Sequence, residues 1–414
     1  MTILIAGAGI GGLTAALSLH QIGAEVRIVE TARQIEPLGV GLNILPHAMR
    51  ELFDLGLEDE LSAAGVHTGK LAYFSKRGQP IWEEPRGRAA GYRWPQISFH
   101  RGTLQMILLE AVRKRIGPDA VATGSTLTGW QGDDTGVTAQ VERRDGGRIE
   151  ALRCALLIGA DGIHSAVRKR LYPGEGPPIW NGAILWRGVT PGATFLDGRT
   201  MIMAGHERQK FVCYPIQATD APPLLNWVAE LKYASDHVWR REDWNRPGKL
   251  DEFLPAFESW RFDWLDVPSI IRTAPGCYEF PMVDRDPLPR WTEGRVTLLG
   301  DAAHAMYPIG SNGASQAILD ARVLAREIRN RGATPEALLA YEAERRPATS
   351  AIVLANRRNG PEQVMQLVEQ RAPEGFTEIG DVLRQDELEG VASAYKRVAG
   401  FGIEELNVRP GLIV

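Results

Sequence analysis

The chain has 414 residues, of which 24% are charged and 44% are hydrophobic, and its formal net charge is −4. This composition is typical of a folded globular protein with two to three domains or one large α/β unit, and it excludes collagen-like and disordered chains. The acidic balance offers no basic groove, so we expect no nucleic-acid partner.

The cysteines Cys154, Cys213 and Cys277 are 59 and 64 residues apart, too far in sequence for a CxxC metal or redox motif. An odd number of cysteines also argues against a disulfide framework. A strand pattern already begins at Thr2, which leaves no room for a signal peptide, and no apolar run reaches the length of a membrane span. We therefore expect a cytoplasmic protein with no metal site and no membrane partner.

A glycine-rich turn follows the first apolar strand, Ile3 to Ala6, and leads into a helical pattern; it consists of Gly7, Ala8, Gly9, Ile10, Gly11 and Gly12. A second apolar strand ends at Glu30. In a βαβ unit the three motif glycines permit the turn, the approach of a pyrophosphate and close helix packing, while the acid binds ribose hydroxyls. The pattern predicts a bound dinucleotide, with a ligand-free glycine turn as the alternative. Glu30 favours FAD or NAD over NADP.

Two further strands also end in glycine turns. The second cluster contains Asp161 and Gly162, and its Asp161 and Ser165 suit the N-terminus of a following helix, so a left-handed turn with an N-cap is the alternative to a ligand contact. The third begins with Gly300 and Asp301 and continues through Gly310 to Gly313 into a long amphipathic helix. The N-terminus of that helix offers backbone N–H groups to an anionic partner.

Residues 175–290 change to short β-like runs that contain seven of the eleven tryptophans: 180, 186, 227, 239, 244, 260 and 264. This pattern of short, tryptophan-rich runs predicts an antiparallel sheet with an aromatic face. The tryptophans either line a pocket for a flat ligand or pack in the core, and packing is the default. From residue 361 onward ten acidic residues stand against five basic ones, a net charge of −5. For this helical segment we expect a solvated face or a subunit contact.

The three glycine clusters, in this order and at these distances, resemble those of the class A flavoprotein monooxygenases, the aromatic hydroxylases similar to para-hydroxybenzoate hydroxylase. The resemblance covers about residues 2–358. It implies an α/β fold: a Rossmann-like FAD-binding domain of the glutathione-reductase type, an antiparallel β-sheet substrate domain and a C-terminal helical segment. The expected boundaries are 1–174 and 291–358 for the FAD domain, 175–290 for the substrate domain with contributions from about 70–100, and 359–414 for the helical segment.

The resemblance also implies which residues contact the cofactor, a tightly but noncovalently bound FAD. In that family the first cluster binds the pyrophosphate, the acid at Glu30 binds the adenosine ribose, and Asp301 binds the ribityl chain. Asp161 and Gly162 with Arg168 match the family's DG motif, and Gly300 with Asp301 matches its GD motif. Residues 100–104 match a further element, whose Arg101 is expected beside the FAD. The residues expected at FAD are Gly7, Gly9, Ile10, Gly11, Gly12, Glu30, Val40, Gly41, Arg101, Leu104, Asp161, Gly162, Arg168, Gly300, Asp301, Pro308, Gly310, Asn312 and Gly313.

Further stretches resemble the subfamily of the phenazine-modifying hydroxylase of pyocyanin biosynthesis: residues 37–43, 186–189, 278–291 and 306–308. This similarity implies an aromatic or heteroaromatic substrate of phenazine or hydroxybenzoate type. It does not fix the substrate, because the residues that face the pocket vary between relatives. A salicylate- or hydroxybenzoate-type hydroxylase is one alternative, and a catalytically silent flavin-binding sensor is another.

The resemblance implies that NADH or NADPH reduces the flavin and that O2 then forms a C4a-hydroperoxide, which hydroxylates the ring. Pro308 and Gly310 are expected beside C4a, and Tyr214 is expected at the substrate, although it can equally be a packed aromatic. Arg187 is either a partner for a substrate carboxylate or part of a structural salt bridge. Trp186 and His206 are the remaining candidates for substrate contact. The sequence leaves a homodimer open.

Overall fold

The structure, a computed structural model, describes residues 2–144, 146–192, 196–217, 222–234, 237 and 246–413. Its strands, in chain order, are β1 (Ile3–Ala6), β2 (Val26–Val29), β3 (Gly41–Ile44), β4 (Val66–His67), β5 (Lys70–Phe74), β6 (Pro80–Pro85), β7 (Ile97–His100), β8 (Val121–Ala122), β9 (Ser125–Asp133), β10 (Gly136–Arg143), β11 (Arg148–Cys154), β12 (Leu156–Gly159), β13 (Ile179–Pro191), β14 (Thr200–His206), β15 (Gln209–Pro215), β16 (Leu224–Lys232), β17 (Arg261–Phe262), β18 (Leu265–Asp266), β19 (Cys277–Asp284) and β20 (Val296–Leu298).

The α-helices in the same ranges are α1 (Ile10–Gln21), α2 (Pro46–Asp54), α3 (Glu58–Ala64), α4 (Arg101–Arg115), α5 (Ala166–Leu171), α6 (Leu250–Phe257), α7 (Val267–Thr273), α8 (Asp301–His304), α9 (Gly313–Arg331), α10 (Pro335–Asn356), α11 (Gln363–Arg371), α12 (Gln385–Val398) and α13 (Ile403–Val408). None of these helices is long and apolar enough to cross a membrane.

A parallel sheet with the strand order β20-β12-β1-β2-β8 forms the first layer. Its central strand β1 is buried along its whole length, which explains the uninterrupted apolar run Ile3 to Ala6. The helices α1, α4 and α9 pack together beside it. The glycine turns after β1, β12 and β20 therefore come to the same edge of one sheet, and the Rossmann-like fold expected from the sequence is confirmed.

A second, mostly antiparallel sheet has the order β19-β13-β16-β15-β14-β5-β6, with a parallel pairing between β14 and β5. Residues alternate between its two faces. The tryptophan face packs on α6 and α7, and its members include Trp186, Phe211, Trp227, Phe253 and Trp260. The pocket face carries Leu71, Met201, Val212, Tyr214 and Met282. The tryptophans of the described part thus pack in the core, and Trp239 and Trp244 lie outside the described residues.

The C-terminal helices cover the pocket face of this sheet. Val364, Met365 and Val368 of α11 and Leu388 of α12 are buried in the same apolar cluster as Tyr214. Most acidic residues of this segment are exposed, as expected for a solvated face, whereas Glu362 is buried and an apolar stripe packs inward. The segment 359–414 therefore also packs on the pocket face of the second sheet.

Candidate functional site

The three motif glycines of the first turn differ in their surroundings, as the sequence predicts. Gly7 has a φ of +105°, and a Cβ there would lie 2.4 Å from the carbonyl oxygen of Ala160. A Cβ on Gly12 would lie 2.0 Å from the Gly7 oxygen, so this glycine permits close packing of α1. A Cβ on Gly9 would have no atom within 4 Å. Gly9 therefore faces open space, and no side chain caps the N–H groups of α1 behind it.

Glu30 lies beside this turn at the end of β2. One carboxylate oxygen accepts a hydrogen bond of 2.8 Å from the Ala8 N–H, and the other accepts one of 2.8 Å from the Ala32 N–H. Its half-buried carboxylate is thus held at the edge of the open space in front of Gly9. Gln105 of α4, which sequence reasoning missed, supports the same turn by donating to the Ala8 oxygen at 2.9 Å.

The third cluster is held by a buried acid from the following long helix. Asp320 accepts hydrogen bonds from the Gly300 N–H at 3.1 Å and from Arg345 Nε at 2.7 Å, and it pairs with His304 Nε2 at 2.6 Å. Burial alone would raise the pKa of Asp320, but His304 and Arg345 lower it below its usual value. His304 is therefore structural, and the turn leaves the Asp301 side chain exposed on the cleft side.

The second cluster caps a helix, and hydrogen bonds from Arg168 of that helix connect it to the third cluster. Asp161 accepts hydrogen bonds from Ser165 Oγ and the Ala166 N–H at 2.5 and 2.7 Å, and Ser165 caps the N–H of Arg168. The guanidinium of Arg168 donates to the carbonyl oxygens of Ala302 and Ala303 at 3.1 and 3.0 Å and also pairs with Glu175. Burial and these partners give Arg168 a structural role instead of the expected cofactor contact. Gly162 keeps a φ of +78° with free space around it.

The approach to α9 combines two left-handed residues, Gly310 with a φ of +70° and Ser311 with a φ of +56°. The Asn312 side chain turns away from the cleft and donates to the Gly310 oxygen at 3.1 Å and to the Tyr395 hydroxyl at 2.9 Å. The expected contribution of Asn312 to FAD binding is therefore limited to its backbone. A Cβ on Gly313 would lie 4.0 Å from the Asp301 carboxylate, which places the start of α9 beside that acid.

The element at residues 100–104 supplies one exposed side chain and one buried one. Arg101 is exposed on the cleft side, where its charge interacts with that of Asp301. Leu104 is completely buried in the core of the FAD domain, and Val40 is 4% exposed. The Leu104 and Val40 side chains therefore pack within the protein, and Arg101 is the side chain of this element that is available to a ligand.

Gly41 connects β3 to the second sheet. Its N–H donates to Asn226 Oδ1 at 2.7 Å, and its carbonyl oxygen accepts from Arg187 Nη2 at 2.7 Å. A Cβ at this position would lie 2.5 Å from Asn226 Cγ, so the close approach requires glycine. Asn226, which sequence reasoning missed, is completely buried.

The half-buried Arg187 and the buried Tyr214 lie close together on the pocket face, where they interact electrostatically. None of the described carboxylates forms an ion pair with Arg187. The Nε–H of Arg187 has no partner in the structure. Burial raises the pKa of Tyr214 to about 12 although Arg187 opposes the rise. The structural salt bridge considered for Arg187 is absent from the described residues, and Tyr214 keeps its proton at neutral pH.

Two of the expected substrate residues lie elsewhere. Trp186 precedes Arg187 in β13 and therefore points to the opposite, tryptophan face, where it stacks on Phe253 with ring centroids 4.8 Å apart. His206 ends β14 five residues beyond Met201, which is roughly 17 Å along the strand from the neighbour of Tyr214. Neither side chain can share a small ligand with Tyr214. Pro308, in contrast, is exposed on the cleft side. Gly310, two residues later, is half-buried.

The open space in front of Gly9, the uncapped start of α1, the Glu30 carboxylate and the exposed pair Arg101 and Asp301 fit the parts of FAD in order. Free helix N–H groups and a positive dipole suit the pyrophosphate, and the two acids suit the hydroxyl groups of the ribose and the ribityl chain on either side of it. These residues thus fit the group that the sequence predicts.

Comparison with known proteins agrees with this assignment. The FAD binding domain family model matches residues 1–180 and 281–356. The chain is similar to a phenazine 1,6-dicarboxylic acid hydroxylase of Lysobacter antibioticus, with 49% identity over 86% of this chain and 89% of that protein. It is also similar to 3-hydroxybenzoate 6-hydroxylase 1 of Aquipseudomonas alcaligenes, with 31% identity over 86% of this chain and 87% of that protein.

Solved structures share the fold. One is a 2,6-dihydroxypyridine-3-hydroxylase from Arthrobacter nicotinovorans, with a TM-score of 0.69, 24% identity and coverage of 86% of this chain and 92% of that one. Another is HpxO of Klebsiella pneumoniae in complex with FAD and uric acid, with a TM-score of 0.73, 23% identity and coverage of 97% and 96%. The family match and the sequence relatives lead to one conclusion: the chain belongs to the FAD-binding class A flavoprotein monooxygenases, the flavin-dependent aromatic hydroxylases.

Proposed function

We propose that this monooxygenase hydroxylates a carboxylated heteroaromatic compound of the phenazine type, using O2 and either NADH or NADPH. The observation that carries the proposal is the Arg187–Tyr214 pair. Arg187 is a half-buried cation with a buried, unpartnered Nε–H, and it lies close to a tyrosine that keeps its proton. An aromatic acid offers a carboxylate to the first and a hydrogen-bond acceptor to the second. The substrate named for the Lysobacter relative is such an acid.

FAD would be held tightly but noncovalently by residues of the cleft. The turn at Gly9 and the start of α1 take the pyrophosphate, Glu30 takes the adenosine ribose, and Asp301 takes the ribityl chain. Bound FAD supplies the two-electron chemistry by which NAD(P)H and O2 convert an aromatic C–H into C–OH, with the second oxygen atom leaving as water. The uncapped first turn of α9 favours negative charge at its end of the cleft.

The remaining residues position the ring and exclude water. Arg187 fixes a carboxylate, and Tyr214 donates its proton in a hydrogen bond to a ring substituent, which orients the carbon to be hydroxylated. Pro308 and Gly310 form the wall between the cleft and the pocket face. The C-terminal helices close that face, and exclusion of water protects the oxygen-transfer step.

The test is a panel of phenazine carboxylic acids and hydroxybenzoates, each scored by stimulated NADH or NADPH consumption and by the mass of the product. A gain of one oxygen atom on a phenazine acid supports the proposal. Hydroxylation confined to hydroxybenzoates supports the salicylate-type alternative, and flavin binding without any stimulated oxidation supports a silent sensor. We also propose a cytoplasmic location, which fits three buried cysteines without a disulfide; sedimentation analysis would decide between a monomer and a homodimer.

A further inference from the structure

A second polar site lies at the far end of the pocket face. A small cavity that opens to solvent lies between strands β5, β6 and β14, the Gly310–Ser311 turn and helix α12. Its wall includes Tyr73, Glu84, Arg86, Gln96, Met203 and Lys396. The cavity thus borders the turn that we place beside the flavin, but Arg187 and Tyr214 are absent from its wall.

Three buried polar atoms in this wall have no hydrogen-bond partner: Tyr73 Oη, Arg86 Nε and Gln96 Oε1. Their residues are 1%, 9% and 3% exposed. A buried polar atom without a partner costs free energy, so several in one cavity indicate a ligand that is not part of the chain. Two of the three atoms, on Tyr73 and Arg86, are donors. Burial raises the pKa of Tyr73 well above its usual value, so its hydroxyl keeps the proton that it donates.

The charged residues of the wall leave a positive balance. Glu84 is buried and pairs with Lys396 of α12 at 2.7 Å and with Arg86. These three residues thus comprise one carboxylate, Glu84, and two cations, Arg86 and Lys396. Since Glu84 pairs with one terminal nitrogen of Arg86, Nη2, the free Nε–H and the second cation favour an additional anion.

The strand register fixes the distance between this site and Tyr214. Tyr214 on β15 lies beside Met201 on β14, which pairs with Leu71 on β5, which pairs with Glu84 on β6. Three strand spacings separate the two ends, roughly 14 Å in all. The two sites therefore lie on different strands of the same face, and a ligand that reaches both needs two carboxyl groups carried on different rings.

We infer that Arg86 and Tyr73 form a second carboxylate subsite, which binds the distal carboxyl group of a three-ring dicarboxylic acid while Arg187 and Tyr214 hold the proximal end. The inference rests on the proposed function and deepens it. It makes the number of carboxyl groups on the substrate, and their separation, the property that this enzyme distinguishes. It also gives the C-terminal segment a part in specificity, because Lys396 balances the charge of Glu84.

The test measures the affinity of the FAD-loaded enzyme for phenazine-1,6-dicarboxylate, phenazine-1-carboxylate and phenazine by the change in flavin absorbance. In Arg86→Gln, we expect a loss of about 10-fold to 150-fold in affinity for the dicarboxylate, the value of a hydrogen bond to a charged group. Affinity for phenazine should not change. Arg88→Gln is the matched control, because Arg88 is close in sequence but exposed and only loosely paired with Glu58 at 3.6 Å.

Tyr73→Phe separates a binding role from a structural one. The Tyr73 hydroxyl has no partner within the protein, so its removal should leave the unfolding free energy unchanged or raise it, while affinity for the dicarboxylate falls. Equal losses for all three ligands, or an unchanged preference for the dicarboxylate in both variants, would overturn the inference.

A different result would overturn the proposed function alone. If the wild-type enzyme hydroxylates none of the phenazine acids, the comparison is repeated with anthracene-1-carboxylate and anthracene-1,5-dicarboxylate as binding probes. A gain in affinity from the second carboxyl group that is lost in Arg86→Gln and in Tyr73→Phe would support the subsite without the proposed reaction. If both variants keep that gain, or if the wild type shows none, the subsite is refuted as well.

Discussion

The hydroxyl oxygen of Tyr395 lies 2.1 Å from the point where a Cβ on Gly310 would stand. The same hydroxyl accepts from Asn312 Nδ2 at 2.9 Å and donates to Asn356 Oδ1 at 2.8 Å. A residue of the C-terminal segment thus fixes the left-handed turn ahead of α9. We expect Tyr395→Phe to lower the unfolding free energy by about 1–3 kcal/mol, since it leaves buried partners unsatisfied, and to lower the yield of product per NAD(P)H.

Urea unfolding of the FAD-loaded enzyme and product analysis check this prediction. Tyr92→Phe is the matched control, because the Tyr92 hydroxyl also holds the C-terminal segment, through the Phe401 oxygen at 2.6 Å, but does not contact the turn. If both variants lose stability but only Tyr395→Phe loses product yield, the turn is the cause. Equal yields in the two variants would contradict the prediction.

Asp301→Ala should weaken FAD binding. A hydrogen bond between a carboxylate and the ribityl hydroxyls is worth roughly 1.5–3 kcal/mol, or about 10-fold to 150-fold in affinity. Flavin retained after dialysis and the dissociation constant after reconstitution give the measurement. Asp263→Ala, which removes an exposed carboxylate near the tryptophan face, is the control. An affinity within about twofold of the wild type would refute the role of Asp301.

Tyr214→Phe should leave FAD binding and flavin reduction unchanged and should divert NAD(P)H to hydrogen peroxide. Loss of the hydrogen bond that orients the ring costs roughly 1.5–3 kcal/mol of transition-state stabilisation. The measurement is the ratio of hydroxylated product to NAD(P)H consumed, with peroxide determined in parallel. Tyr233→Phe at the end of β16 serves as the control, since Tyr233 lies on the tryptophan face. An unchanged ratio would show that Tyr214 only packs.

Lys210→Met should destabilise the contact between the C-terminal segment and the sheet. The Lys210 ammonium is buried between Glu230, at 2.9 Å, and Glu362. Removal of the cation leaves two buried carboxylates unpaired, so we expect a loss of about 3–5 kcal/mol in unfolding free energy. The partly exposed pair Lys232 and Glu207 gives the control, and Lys232→Met should cost about 0–1 kcal/mol.

The pH dependence of this contribution follows from the pKa of Lys210. Burial alone would lower that pKa, but the two carboxylates raise it above the ordinary value of 10.5. The stabilisation is therefore fully present below pH 10.5 and is lost only as the pH rises through the higher pKa of the folded state. Between neutral pH and pH 10.5, titration of Lys210 should therefore not change the difference in unfolding free energy between wild type and Lys210→Met.

His47 should make the folded state sensitive to acid. It is completely buried and stacks on Phe401 with ring centroids 5.2 Å apart. Burial, with help from Arg409 and other arginines, lowers the pKa of His47 from 6.5 to about 3. The neutral form is thus required by the fold, so stability is complete above pH 6.5 and falls as the pH drops towards 3.

At pH 4.5 the expected loss from His47 is about 2.7 kcal/mol, from two pH units at ~1.36 kcal/mol each. In His47→Gln this part of the slope of unfolding free energy against pH should disappear. His20→Gln changes an exposed histidine and should leave the slope as it is. A wild-type slope that survives in His47→Gln would contradict the prediction.

Local features of the cofactor half could be predicted from the sequence. The spacing of Gly7, Gly9 and Gly12 places a turn, a ligand approach and a helix contact, and each of these depends on residues close in the chain. The partners of Arg168 could not be predicted in this way, because they are the carbonyl oxygens of Ala302 and Ala303, which only tertiary packing brings near. A motif identifies the residue, but the packing decides whether its side chain is free.

The substrate half depends on long-range pairing. Trp186 and Arg187 are neighbours in one strand, so the two-residue period already forbids both from facing the same pocket. Arg86, in contrast, reaches the pocket only because β5 pairs with β14, more than 120 residues later in the chain. No periodicity within residues 80–86 indicates this contact.

Helix α12 forms part of the wall of the cavity beside Tyr73 and Arg86, and it is synthesised well after Asp301. A nascent chain therefore acquires the elements of the cofactor cleft, β1, β12 and β20, before it acquires Tyr395 and Lys396. For that interval the cleft can form above a pocket that is still open to water. The order of translation thus makes the wall of this cavity one of the last parts of the site to be completed.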